Sequence, residues 1–194
     1  EHIASTDRGT SLQQGEARVH TVQHLLAAVS ALQLDNLLIE IDGPEIPIGD
    51  GSFKPFYDVL QAAGVVQQNA NAVTLELRDV VHVSANGGSS YVVIPDSAYR
   101  ISGTIEFDHP LIRRQFGSFT VQPQKFGEDL APARTFGFMR EAETLYARGL
   151  AKGATLDNAI VLNEAGLAWG ELRFSDEFVR HKIGDIVGDL ALLG

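Results

Sequence analysis

The sequence has no cysteine and only one methionine and one tryptophan in 194 residues. Without thiols there is no disulfide, no thiolate zinc knuckle and no cysteine nucleophile, so any bound metal must take His, Asp or Glu as ligands. Positive charge is scarce too. Fifteen Lys and Arg stand against 25 Asp and Glu, a formal net charge of -10, which opposes nonspecific attraction to nucleic acid or anionic membrane. The RRQ at 113–115 is too short to reverse this, although a local basic pocket for a phosphate is compatible with it. No apolar run approaches the ~20 residues of a membrane span and no signal-peptide pattern is present, so the expectation is a cytoplasmic protein with no integral membrane segment. What is present is an ordinary globular composition, 44% hydrophobic, enough for one large or two small domains with a sizeable core. The chain opens on Glu1 rather than methionine and stops at Gly194 directly behind an amphipathic helix. Both ends read as cut, and the expectation is part of a longer protein, with a fused domain beyond Gly194 left open.

Periodicity divides the chain in two. TVQHLLAAVSALQL (21–34) reads as a helix with Thr21 as N-cap and Leu25, Leu26, Val29 and Leu32 on its buried face. NLLIEIDG alternates as a strand, Pro44 and Pro47 break it, and PFYDVLQAAG follows the DGS turn as a second helix. Residues 1–66 thus form a first α+β lobe, QQNANA (67–72) a polar linker, and 73–194 a second lobe. That second lobe reads as short strands, VTLEL, VVHVS, SSYVVIP, YRISGTIEF and QFGSFTV, in antiparallel hairpins covered by helices within 138–148 and from Ser175 onward. The fold class is α+β, two lobes packed face to face as a sandwich.

The chemistry concentrates in DEFVRHKIGDIVGDLALLG. His181, Asp185 and Asp189 recur one helical turn apart and share a stripe with Gly188, while Val179, Ile183, Ile186, Val187 and Leu190 gather opposite. Ser175 suits the cap of this helix, and Asp176 and Glu177 suit its first turn. Gly184 and Gly188 cost helix stability at ~1 kcal/mol each relative to alanine, which suggests close approach by a ligand or another backbone. A catalytic zinc takes three protein ligands and keeps a place for water. His181 and Asp185 supply two from one helix, and His24 in the first lobe is the best candidate for the third. By itself an HxxxD pair is more often a solvated or capping pair than a metal site.

The wider pattern resembles a family. TVQHLLAA is similar to its TVEHLLAA, and LDNLLIEIDGPEIPIGDGSFKPF to its IDN, PE-P and DGS-x-PF segment. FDHPLI, ARTFGFMREAETLYARGL and DEFVRHKIGDIVGDL follow in the family's order. The chain is thereby identified, from about residue 5 to its end, as resembling the zinc-dependent UDP-3-O-acyl-N-acetylglucosamine deacetylases of lipid A biosynthesis. The resemblance implies His24, His181 and Asp185 as Zn2+ ligands between two facing lobes. It also implies Lys182 as a substrate-contacting lysine, Thr135 as the group that polarises the acetyl carbonyl, Phe136 as a lining residue and Asp189 as the aspartate that orients a catalytic histidine. The segment near 150–160, with Gly149, Leu150, Ala151, Leu156 and Ala159, corresponds to a passage for the acyl chain. The implied partner is UDP-3-O-acyl-N-acetylglucosamine, with no nucleic acid and no organic cofactor.

Two departures bear on activity. The family's glutamate base before the histidine is Gln23 here, and an amide cannot accept a proton from metal-bound water at neutral pH. The expectation is that Gln23 nevertheless points at that water. The family's further histidine, downstream of this helix, and its opening strands fall outside residues 1–194, so the first lobe is expected to expose apolar edge surface. Competing with a hydrolase are a noncatalytic homologue that binds zinc and nucleotide sugar, and an interaction domain whose HxxxD helix contacts a partner. His2, His20 and His82 are assigned no role, His109 is left open, Glu45, Asp50 and Ser52 are read as turn-stabilising, and Trp169 as core.

Overall fold

A computed structural model describes residues 2–85, 88–147, 155 and 158–193. In chain order the elements are β1 (Ile3–Ser5), β2 (Ser11–Gln14), β3 (Ala17–Val19), α1 (Gln23–Ala31), α2 (Lys54–Ala63), β4 (Val81–Ser84), β5 (Ser90–Val93), β6 (Arg100–Phe107) and β7 (Arg113–Thr120). They continue with α3 (Pro123–Asp129), β8 (Phe136–Phe138), α4 (Met139–Ala147), β9 (Ile160–Leu162) and α5 (Glu177–Leu190). The architecture is α+β, with antiparallel pairing in β1-β2-β3, β4-β5 and β6-β7. β8 and β9 pair in parallel, against the expectation of antiparallel hairpins. A parallel neighbour requires a crossover, and α4 lies in the connection that makes it.

The core is organised around α5. Val179, Ile183 and Val187 are almost fully buried against Ile101 and Val121 of the β6–β7 region and against Ala27, Ala28 and Ala31 of α1. Phe53, Tyr57 and Phe126 close this cluster from α2 and α3. A second cluster joins Ile112, Ile160, Leu162 and Phe178. Burial of each of the valine, isoleucine, leucine and phenylalanine side chains stabilises by roughly 1.5–3 kcal/mol, so both faces of α5 are held by packing rather than by helix propensity. No helix among the described residues is long and apolar enough to cross a membrane.

Several sequence expectations are corrected. The buried face of α1 consists of Gln23, His24, Ala27, Ala28 and Ala31, whereas Leu25, Leu26 and Val29 are only partly buried. Small side chains win this face because α5 lies so close. Thr21 does not cap α1: its φ is +60° and its hydroxyl donates to Glu45 Oε1 at 2.6 Å. Ser175 does not cap α5 either, since Asp176 holds the cap position without a side-chain cap bond. NLLIEIDG and VTLEL form no strand. Alternation makes a strand only when a partner edge accepts it, and Leu38 and Val73 instead stand 83% and 96% exposed. Trp169 is 66% exposed rather than core.

Candidate metal centre

The centre forms where α1 crosses α5. Both helices approach so closely because position 188 is glycine: a Cβ there would stand 2.0 Å from the backbone oxygen of Gln23. Gly184 serves the same junction, since its Cβ would lie 2.3 Å from the Phe53 ring. That ring, fully buried, stacks on His181 at 4.9 Å and meets His24 edge-on at 5.0 Å. The two glycines of the α5 stripe therefore make room for a backbone and for the aromatic floor under the two imidazoles.

His24, His181 and Asp185 each offer a ligand atom, and these atoms lie within 4.8 Å of one another. Asp185 Oδ1 is 3.5 Å from His24 Nε2 and 3.5 Å from His181 Nε2. That is too long for good hydrogen bonds, and Oδ1, although buried, has no hydrogen-bond partner among the described residues. Tetrahedral ligands 2.0–2.1 Å from zinc would stand ~3.3 Å apart, so the spacing and the orphaned oxygen both fit a cation held between the three groups. His181 Nδ1 lies 3.0 Å from the Ala133 carbonyl oxygen, an acceptor only. Nδ1 therefore carries the proton and Nε2 presents its lone pair to the centre. His24 Nδ1 has no partner among the described residues.

Electrostatics supports the same reading. Burial pushes His181 down to about 4, which leaves the ring neutral at pH 7, the form that ligates. Burial works to raise the Asp185 carboxyl, but His181, the Lys182 ammonium and His24 outweigh it and hold the group far below the usual carboxylate range. With His181 neutral, Lys182 is the standing cation, its Nζ 3.1 Å from Asp185 Oδ2 and 5.5 Å from the centre of the Phe136 ring. Two neutral imidazoles and one carboxylate would leave a bound divalent ion with net positive charge.

The remaining site candidates take up defined places. Thr135 is fixed by its N–H to Gly51 O at 2.7 Å and by the Ile160 N–H to its own carbonyl at 2.8 Å. Phe136 packs edge-on against Phe178. Asp189 Oδ1 accepts the Thr10 hydroxyl at 2.6 Å. Gln23 is buried, and its Oε1 accepts the Thr10 backbone N–H at 3.0 Å. Its carbonyl oxygen is thus engaged by the loop before β2. Asp50 accepts the N–H and hydroxyl of Ser52, a turn-stabilising role, and His109 ties its turn to the Asn163 carbonyl at 2.7 Å. His82 lies exposed in β4. Of the acyl-passage positions, Gly149, Leu150, Ala151 and Leu156 lie outside the described residues.

Sequence reasoning passed over Glu177, taking it as a first-turn carboxylate. It is fully buried and ion-paired with Arg134 at 2.9 Å. The signal was its place in the row 177, 181, 185, one turn before His181.

Comparison with known proteins converges on one relationship. The chain is 44% identical over 195 residues to a UDP-3-O-acyl-N-acetylglucosamine deacetylase of Myxococcus xanthus, covering all of this chain and 62% of that protein. It is 46% identical over 194 residues to the proteins of that name from Brucella ovis and Brucella canis, covering 99% of this chain and 68% of each relative. A family profile described as UDP-3-O-acyl N-acetylglycosamine deacetylase matches residues 1–194, the whole stretch that carries both helices of the centre, and the chain belongs to that family.

Proposed function

We propose that the protein is a zinc-dependent hydrolase that cleaves the acetamide of UDP-3-O-acyl-N-acetylglucosamine, releasing acetate and the free amine, as a step of lipid A biosynthesis in the cytoplasm. The observation that carries this reading is the convergence of His24, His181 and Asp185 on one point, and the names of the relatives supply the substrate. His24 Nε2, His181 Nε2 and Asp185 Oδ1 would hold the ion. When bound, zinc supplies Lewis acidity, lowering the pKa of its water toward ~7 and polarising a carbonyl.

The chain's own residues do the rest. Thr135, braced by its two backbone hydrogen bonds, would polarise the acetyl carbonyl. Lys182 would hold the charged part of the substrate beside Phe136, Asp189 would orient a catalytic histidine, and the acyl chain would follow the segment near 150–160. In this reading residues 1–66 and 73–194 are two lobes joined through 67–72, with the metal where α1 of the first meets α5 of the second.

One observation favours a second reading, a homologue that binds zinc and nucleotide sugar without turnover. The Oε1 of Gln23, which would stand at the base position, is already engaged by the Thr10 N–H. Acetate release from UDP-3-O-acyl-N-acetylglucosamine at saturating zinc, measured in the whole protein and in His181→Ala, separates the two. Release lost in the variant supports the hydrolase; binding of zinc and substrate without release supports the second reading; neither binding nor release rejects both.

A further inference from the structure

The peptide unit between Ala133 and Arg134 is held from both sides by α5. Its carbonyl oxygen takes the His181 Nδ1 proton at 3.0 Å, and its N–H donates to Glu177 Oε1 at 3.0 Å. Glu177 and His181 are one helical turn apart, so both reach this peptide from the same face of the helix. The Glu177 carboxylate has no exposure to solvent. Besides the Arg134 N–H, it accepts Arg134 Nε at 2.9 Å, Arg134 Nη2 at 3.3 Å and the Arg173 backbone N–H at 2.6 Å. A buried ion pair of this kind is weak evidence for stability, because desolvation offsets most of the attraction. Its line of contact runs instead toward the metal centre.

We propose that Glu177 is a positioning residue for His181, acting through the 133–134 peptide. Its negative charge polarises the peptide N–H, the peptide carbonyl becomes a stronger acceptor for the His181 Nδ1 proton, and Nε2 is thereby fixed in direction and made a better donor to the metal. Histidine ligands commonly give their second ring proton to a carboxylate directly, and loss of such a partner weakens metal binding. Here a peptide stands between carboxylate and imidazole, and hydrogen-bonded chains of this kind polarise along their length. The same carboxylate fixes the backbone just before Thr135. The inference rests on the metal reading of His24, His181 and Asp185.

The test uses the whole protein, with zinc affinity measured by chelator competition and folding by circular dichroism. Glu177→Gln should bind zinc ~10–100-fold more weakly. Arg173→Ala removes the guanidinium contacts to Asp50 and Pro132 but keeps the backbone N–H that Glu177 accepts. It should lower Tm and leave zinc affinity unchanged, a split that a merely structural role for Glu177 would not produce. NMR of isotope-labelled histidine in zinc-free wild-type protein gives a readout that does not depend on the variant folding, and His181 should carry its proton on Nδ1. Equal zinc affinity in Glu177→Gln and wild type overturns the proposal, as does a His181 ring protonated on Nε2. Wild-type protein that holds no zinc sinks the centre itself, a failure distinguishable from either.

Discussion

At the scale of single residues, the proposed hydrolase reading turns on Gln23, which the family resemblance puts at the base position. A carboxylate beside metal-bound water takes a proton that an amide cannot, and a positioned base contributes ~10²–10⁴-fold. Gln23→Glu in the whole protein should therefore raise acetate release ~10²-fold or more, with zinc affinity little changed because residue 23 is not in the ligand set. If the Gln form is already as fast as the Glu form, another group is the base. Asp50 offers a test in pH. Burial works to raise its carboxyl, but Ser52 and the Arg173 guanidinium outweigh that and hold it below its ordinary value of 3.8. A depressed acid stabilises the fold above its unfolded value and loses that contribution as pH falls through the folded one. Asp50→Asn should thus lower Tm at neutral pH and flatten the fall in stability below about pH 4; an unchanged acid limb in thermal melts would contradict this. These roles differ in legibility. His181 and Asp185 stand out by helical spacing alone, and Asp50 with Ser52 by turn chemistry. His24 does not, because nothing in its spacing ties residue 24 to residue 181.

At the scale of elements, the α1–α5 crossing is the device that builds the centre. Gly188→Ala would drive a methyl into the Gln23 carbonyl, a contact with backbone rather than with a pliable side chain. Overpacking of this sort costs ~1–3 kcal/mol, and the displacement of α1 should carry His24 out of register and weaken zinc binding. Differential scanning calorimetry and chelator titration check the two effects, and a variant with wild-type Tm and zinc affinity would show that the helices are not so closely tied. Helices α2, α4 and α5 are readable from their apolar period, and β6 and β7 from alternation. NLLIEIDG and VTLEL mislead, because alternation reports a strand's capacity to pair and not the presence of a partner. Glu177 was hidden for a related reason. Acidic residues suit the first turn of any helix, and its place one turn before His181 is a weak cue beside the burial and the Arg134 contact seen in the packed molecule.

At the scale of the whole molecule, several large apolar side chains stand out on the described surface. Leu38, Val66, Val73, Leu75 and Val92 are all more than 60% exposed, and the two-stranded β4–β5 sheet is exposed on every residue. Unpaired edges and apolar patches favour association. The 194-residue chain should therefore self-associate with concentration in sedimentation velocity, and Val73→Lys with Val92→Lys should suppress this; a monomer at all concentrations would contradict the expectation. The α+β class was legible from the mixture of periods along the chain, whereas the long-range meeting of residues 24 and 181 was expected from the family resemblance and not from any local spacing. The central claim is that this meeting makes a metal centre. Its most direct test is the zinc content of purified protein by elemental analysis, for wild type, His181→Ala and His82→Ala, each confirmed folded. One equivalent is expected in wild type and His82→Ala and none in His181→Ala, whereas equal zinc in all three, or none in wild type, would contradict a metal centre at this crossing.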